Sequence, residues 1–135
     1  MSRKNSREGT DEPRFMRWMD LPEERVNKDM TRRLAVGERE MVGLISFKKG
    51  AFVPAHKHLS EQITYVLKGS MSFTIGGKKY SVKAGEVLVI PSNVVHEAAV
   101  LEDTQELDFF SPLRRDWLAG RDRYLRTGRS YLRKK

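Results

Sequence analysis

The chain carries three histidines, His56, His58 and His96, and all of them fall into one spacing pattern. One block runs from Gly50 through His56, Lys57 and His58 to Gln62 and Gly69, and a second runs from Gly85 through Pro91, Ser92 and Asn93 to His96. Packing gives a polar, basic chain no reason to concentrate its whole histidine complement there. Metal binding does, because neutral imidazole is a frequent protein ligand for zinc, copper, nickel and iron. His56 and His58 are two positions apart, so on an extended strand both side chains point to one face. Gln62 follows after a short turn and offers a neutral amide oxygen, and His96 comes from a strand far along the sequence. Such a set leaves coordination positions open, as catalytic sites do and closed structural sites do not. Spacing alone supports a metal site with open coordination and nothing more specific.

Strands must position these residues. Thr31–Val36 ends at Gly37, Glu40–Phe47 at Lys48-Lys49-Gly50, and Ile63–Leu67 at Lys68-Gly69. Met71, Phe73 and Ile75 alternate with Ser72 and Thr74, the period of a half-buried strand. Gly76-Gly77 marks a two-residue hairpin. Tyr80 and Val82 alternate again, Val87–Ile90 stops at Pro91, and Val94–Leu101 and Glu106–Phe110 complete the set. Strands recurring at intervals of about ten residues indicate an all-β sandwich or barrel. Ser111-Pro112 reads as N-cap and first residue of a short C-terminal helix. Its stripe of Trp117, Leu118, Tyr124 and Leu125 is expected on the barrel exterior or on a partner subunit. Residues 1–13 read as a disordered arm. Phe15, Met16, Trp18, Met19 and Leu21 are too apolar for a free tail and should pack on the domain or a second copy.

At 135 residues the chain makes one domain, 14–118, with the barrel at about 31–113 and a basic tail at 119–135. There is no cysteine, which excludes disulfides and thiolate ligands. No apolar run approaches the roughly 18 residues of a membrane span, and the N-terminus lacks the apolar stretch of a signal peptide. The expectation is a soluble, cytoplasmic protein without a membrane partner. The net charge of +8 is unevenly placed. Residues 1–37 carry nine Lys/Arg and seven Asp/Glu (+2), residues 38–113 eight and nine (−1), and residues 114–135 nine and two (+7). The excess sits at the C-terminal end, either as a solvated tail or as a surface for an acidic partner. Tyr124 and Tyr131 could stack on bases, but no reader motif accompanies them, so nucleic acid is not an expected partner.

The two histidine blocks resemble the two motifs of the cupin superfamily, over about residues 40–110. That resemblance implies a double-stranded β-helix, or jelly-roll, barrel holding one divalent transition metal: zinc, nickel, manganese or iron. The implied ligands are His56, His58, Gln62 and His96, with Gly50, Gly69, Gly85 and Pro91 also matching. Gln62 stands where glutamate is usual; it brings no charge and leaves a bound metal a stronger Lewis acid. Asn93 stands where glycine is usual and tolerates the left-handed conformation a tight turn needs. Val100 stands where asparagine is usual. A narrower likeness, to the small cupins of pectin degradation, rests on His56-Lys57-His58-Leu59-Ser60-Glu61-Gln62-Ile63-Thr64-Tyr65-Val66-Leu67, on Phe73-Thr74-Ile75-Gly76-Gly77, and on Leu107-Asp108-Phe109-Phe110-Ser111-Pro112-Leu113-Arg114-Arg115-Asp116-Trp117-Leu118. That family includes enzymes that linearise 4,5-unsaturated uronates into open-chain keto acids, and its Asp, Phe and Arg near the C-terminus match Asp108, Phe110 and Arg114.

The resemblance therefore implies a lyase or isomerase acting on a small, carboxylate-bearing substrate, and a homodimer. Asp108, beside an aromatic in a barrel, suits a general base, though a solvated rim aspartate would read the same. Arg114 suits a bidentate grip on a substrate carboxylate, or a surface pair with Asp116. Tyr65, Phe73 and Phe110 are candidate cavity walls. An oxygen-dependent dioxygenase and a non-catalytic sensor remain rivals on the same scaffold.

Overall fold

Alternation along the strands, and the register between them, decide which side chains face the barrel interior. The computed structural model describes residues 12–132. Its strands are β1 (Glu24–Asn27), β2 (Met30–Val36), β3 (Met41–Phe47), β4 (Phe52–His56) and β5 (Glu61–Lys68). They continue as β6 (Ser70–Ile75), β7 (Lys78–Lys83), β8 (Val87–Ile90), β9 (His96–Val100) and β10 (Thr104–Ser111). Two short helices follow, α1 (Arg115–Leu118) and α2 (Arg123–Thr127). The strands form a 6-stranded sheet, β1-β2-β3-β10-β5-β8, facing a 4-stranded sheet, β4-β9-β6-β7. All pairings are antiparallel, as a jelly roll requires.

Register builds the walls row by row. In the large sheet Gln62 pairs with Phe110 and Ile90, and Phe110 pairs with Met41. One row along, Thr64 pairs with Asp108, which pairs with Gly43; the next brings Val66 beside Glu106 and Glu106 beside Ile45. These side chains face inward and are buried, apart from Gly43, which has none. The intervening positions face outward: Val89, Ile63, Phe109 and Val42 make one cross-strand row, and Val87, Tyr65, Leu107 and Leu44 the next. From the small sheet, Met71, Phe73, Ala98 and Val100 complete the core.

The Gly76-Gly77 turn joins β6 and β7 with Ile75 opposite Lys78, as expected. β1 went unread in the sequence, since Glu24–Asn27 is short and lacks a clean apolar alternation, and of β4 only the strand at His56 was expected. The C-terminal expectation needs correction. Ser111-Pro112 is a cis peptide that opens no helix; the helix starts at Arg115, with Arg114 as N-cap. The stripe divides between α1 and α2, and Trp117, Tyr124 and Leu125 enter the core instead of covering the exterior. Leu118 stays 44% exposed. Residues 119–132 are thus folded onto the barrel mouth and are no free tail. At the other end, Phe15 and Met19 are exposed while Met16, Trp18 and Leu21 are half-buried. Most of the expected arm lies outside the described residues, and no described helix is long and apolar enough to cross a membrane.

Candidate metal centre

His56 ends β4 and His96 opens β9, and the two are cross-strand partners. His58 lies two residues beyond β4, in the loop leading to β5, so the extended-strand geometry expected for the His-x-His pair holds only for its first member. The loop is nonetheless fixed. Asn93, at φ 61, donates its backbone N–H to the His58 carbonyl at 2.8 Å, and Ser60 Oγ donates to the Pro112 carbonyl at 2.6 Å. The left-handed residue of the second block therefore braces the first.

Each imidazole is oriented by a backbone carbonyl two residues away. Nδ1 of His56 meets the Pro54 carbonyl at 2.9 Å, that of His58 the Ser60 carbonyl at 2.9 Å, and that of His96 the Val94 carbonyl at 2.8 Å. A carbonyl only accepts, so each Nδ1 carries the proton and each Nε2 presents a lone pair. The three ligand atoms lie within 4.8 Å of one another. Nε2 of His96 is buried without a hydrogen-bond partner. Nε2 of His58 sits 3.1 Å from Gln62 Oε1. Gln62 is turned that way because its Nε2 donates to Thr64 Oγ1 at 2.8 Å and to Asp108 Oδ1 at 3.3 Å. Two acceptors therefore face each other, and a cation between them resolves the conflict. A carbonyl that holds the proton on the other ring nitrogen, and so fixes the tautomer, is the usual support of a ligating histidine. The residues fit a divalent metal bound by His56, His58, His96 and the Gln62 amide oxygen.

Electrostatics agrees. Burial pushes His56 well below the ordinary histidine range, helped by the His96 charge. Burial and then the Arg114 charge take His58 down to about 4, and burial then Arg114 lower His96. All three are neutral near pH 7, the form that binds metal.

Asp108 lies beneath this cluster. Its Oδ1 accepts from Thr64 Oγ1 at 2.6 Å, besides the contact with Gln62. Glu106, one inward position away on β10, is buried beside it. Burial, then the Asp108 charge, push Glu106 well above the ordinary carboxylate range, and burial also raises Asp108. Sequence reasoning missed Glu106 and Thr64. The signal was present: Glu106, Asp108 and Phe110 share strand parity, as do Gln62 and Thr64. The same parity corrects Tyr65, which points outward beside Leu107 and does not line the cavity. Phe73 and Phe110 do line it.

Arg114 is buried, at 2% exposure, and not a surface residue. Its Nε and Nη2 donate to Asp116 at 3.0 and 2.9 Å, and Nη2 also donates to the Tyr124 hydroxyl at 2.7 Å. Its guanidinium lies over Trp117 and Phe110, 4.7 and 5.0 Å from the ring centroids. Tyr124, unassigned from the sequence beyond helical packing, stacks on His56 at 4.6 Å.

Comparison with known proteins agrees with this geometry. Residues 43–111 match the family model described as a cupin domain. The chain is 39% identical over 80 residues to the pectin degradation protein KdgF of Dickeya dadantii, covering 58% of this chain and 73% of that protein. Among solved structures, KdgF from a Halomonas species superposes with a TM-score of 0.72 at 29% identity, covering 77% of this chain and 99% of that one. An RmlC-like cupin from Shewanella frigidimarina gives 0.73 at 26% identity, covering 78% and 96%. Two sheets, a shared motif pair and a three-histidine cluster at the barrel mouth converge on one assignment: the chain belongs to the cupin family and is a KdgF-like member of it.

Proposed function

We propose that this chain is a metal-dependent enzyme of lyase or isomerase type that opens the ring of an unsaturated uronate. The observation that carries the reading is the convergence of three histidine ligand atoms, within 4.8 Å of one another, above a buried Asp108 carboxyl held by Thr64 and Gln62. The likeness to a pectin degradation protein supports the substrate class. Bound by His56, His58, His96 and Gln62, a divalent metal would act as a Lewis acid on a substrate oxygen.

Ring opening of a 4,5-unsaturated uronate is redox-neutral and proton-neutral. The anomeric hydroxyl loses a proton, the bond from the anomeric carbon to the ring oxygen breaks, the former enol ether becomes a ketone, and its other alkene carbon gains a proton. One group that takes a proton and returns it is sufficient. Asp108 is the member of the carboxyl pair free to do so, and its burial raises its proton affinity toward the working range. Thr64 and Gln62 hold the carboxylate in place while it acts.

The test is loss of the ultraviolet absorbance of the conjugated unsaturated acid on adding the metal-loaded protein, with and without oxygen. Turnover is expected in both. Asp108→Asn should lower kcat by about 10²–10⁴-fold while metal content holds. Unchanged turnover in that variant would rule out the base role, and a requirement for oxygen would favour a dioxygenase.

A further inference from the structure

The space left beside His56 and His96 is too small for the substrate just proposed. The cavity bounded by His56, Gln62, His96, Asp108, Arg114 and Tyr124 measures about 30 Å³. That admits an ion or a water. Cavities that take drug-sized organic ligands run to about 300–1,000 Å³.

Much of the cover is one element. From α2, Tyr124 lays its ring on His56 at an interplanar angle of 29°, and Leu125 packs beside it. The Tyr124 hydroxyl accepts from Arg114 Nη2 at 2.7 Å. α2 is only five residues long and has no side-chain N-cap, so it has little stability of its own. It is suspended between two anchors. Before it, fully buried Asp122 pairs with fully buried Arg32 at 2.8 Å. After it, Gly128 turns the chain at φ 75, Ser130 Oγ donates to the Ala55 carbonyl at 2.7 Å, and the Tyr131 hydroxyl bridges the Lys57 N–H and carbonyl at 3.0 and 2.8 Å. Breaking the buried pair would leave an uncompensated charge in the interior, so Asp122 stays and acts as a pivot. The remaining ties yield easily. Arg126 reaches Glu24 at 2.6 Å and Asp122 at 3.0 Å from a position about a third exposed, and Asn27 Nδ2 donates to the Leu125 carbonyl at 2.9 Å.

We propose that residues 123–127 form a gate and that Tyr124 is its specificity-determining residue. The ring covers the ground over His56 that a substrate must take, and the hydroxyl occupies the Arg114 nitrogen that a substrate carboxylate would claim. This rests on reading the metal centre as the catalytic site. A carboxylate displaces the phenol because a charge-assisted bond to guanidinium is stronger than a neutral one. A ligand of the same size without a carboxylate gains nothing at Arg114 and leaves the gate shut. The site therefore selects small acids over the corresponding neutral sugars.

Acylation of histidine by diethyl pyrocarbonate, read per residue by peptide mass spectrometry on metal-free full-length protein, tests the cover. His56 should react about ten-fold or more slowly than His58 in the parent chain. Tyr124→Ala should abolish that difference and Tyr124→Phe, which keeps the ring, should preserve it. If Tyr124→Ala does not fold, Arg126→Ala loosens the same strap and should accelerate the His56 reaction. Equal rates in the parent chain, or a ratio indifferent to the variant that folds, would overturn the gate. Selection is tested by amide hydrogen exchange over residues 123–127 in the metal-loaded protein. Millimolar galacturonate should raise exchange several-fold and galactose should not. No response to galacturonate, or an equal response to both, would overturn the role of Tyr124 in selection. The acylation test needs neither metal nor turnover. A protein that takes up no metal yet shows the His56 effect would lose the catalytic reading alone, and one that turns over but shows no effect would lose the gate alone.

Discussion

A single proton on each imidazole sets the chemistry of this site. The Pro54, Ser60 and Val94 carbonyls hold it on Nδ1, so the Nε2 atoms converge as three lone pairs that no donor among the described residues satisfies together. Buried acceptors facing one another are costly, and a bound cation removes that cost for all three. His96→Ala deletes one ligand whose Nε2 has no other partner. Elemental analysis of the purified variant should show metal content reduced at least about ten-fold, with the fold retained by circular dichroism. Full metal content in this variant would mean that His96 is not a ligand. The neighbouring carboxyls answer to the same cost: Glu106 and Asp108 lie on one inward face of β10, and burial with the charge beside it pushes Glu106 well above the ordinary carboxylate range.

At the scale of elements, the site depends on turns that bring distant strands to one end of the barrel. Gly69, between β5 and β6, is at φ 93, and a Cβ there would collide with the Asp103 carbonyl and with Thr104. Thr104 Oγ1 in turn accepts from the Ser70 N–H at 3.1 Å, so the crowded atoms cannot withdraw without breaking a buried hydrogen bond. Gly69→Ala should therefore cost about 3 kcal/mol, read as a lowered urea midpoint with unchanged slope. A loss under about 0.5 kcal/mol would show that this turn can relax. The loop carrying His58 depends on a different brace, the Asn93 N–H, which ties the two sequence blocks together at the barrel mouth.

For the whole molecule, stability should follow two opposing titrations. In metal-free protein the three histidines sit below their ordinary 6.5. The unfolded chain then binds more protons as pH falls below 6.5, so their contribution is complete above that pH and is lost on acidification toward the His58 value of about 4. Glu106 and Asp108, raised above 4.5 and 3.8, work the other way: their contributions are complete below those values and are lost as pH rises through the raised ones. Between 4.5 and 6.5 three imidazoles outweigh two carboxyls, and each group contributes at most about 1.4 kcal/mol per pH unit. The urea midpoint of metal-free protein should peak near pH 6.5 and fall toward acid; a midpoint flat across that range would contradict the buried neutral histidines. The outer face of the large sheet bears on assembly. Val89, Ile63 and Phe109 stand in one cross-strand row at 53, 38 and 42% exposure, and Ile63 and Phe109 line a groove together with Phe15, at 93%. Six strands about 4.8 Å apart and about seven residues long present roughly 600 Å² per copy, so two copies would bury about 1,200 Å². We propose that a second copy covers this face. Sedimentation at micromolar concentration should give a dimer, and Phe109→Glu should give a monomer with its barrel intact; a monomeric parent chain would refute it.

Residue types and spacing were enough to give the three-histidine cluster, the strand count through the barrel's middle and the turn chemistry at Gly76-Gly77 and Asn93. Those features are local, written in residue type, spacing and period. The sequence also held, in the parity of β5 and β10, the inward placement of Thr64 and Glu106 and the outward placement of Tyr65, although parity becomes readable only once one residue of each strand is known to face the interior. What only the tertiary structure decided is the fate of the C-terminal end. A run rich in arginine reads as solvated because charge dominates its composition, yet Asp122, Tyr124 and Leu125 are buried. Their burial depends on Arg32 and Arg114, which meet them only when β2, the end of β10 and α2 close over the same barrel mouth. No local pattern records a partner about ninety residues away.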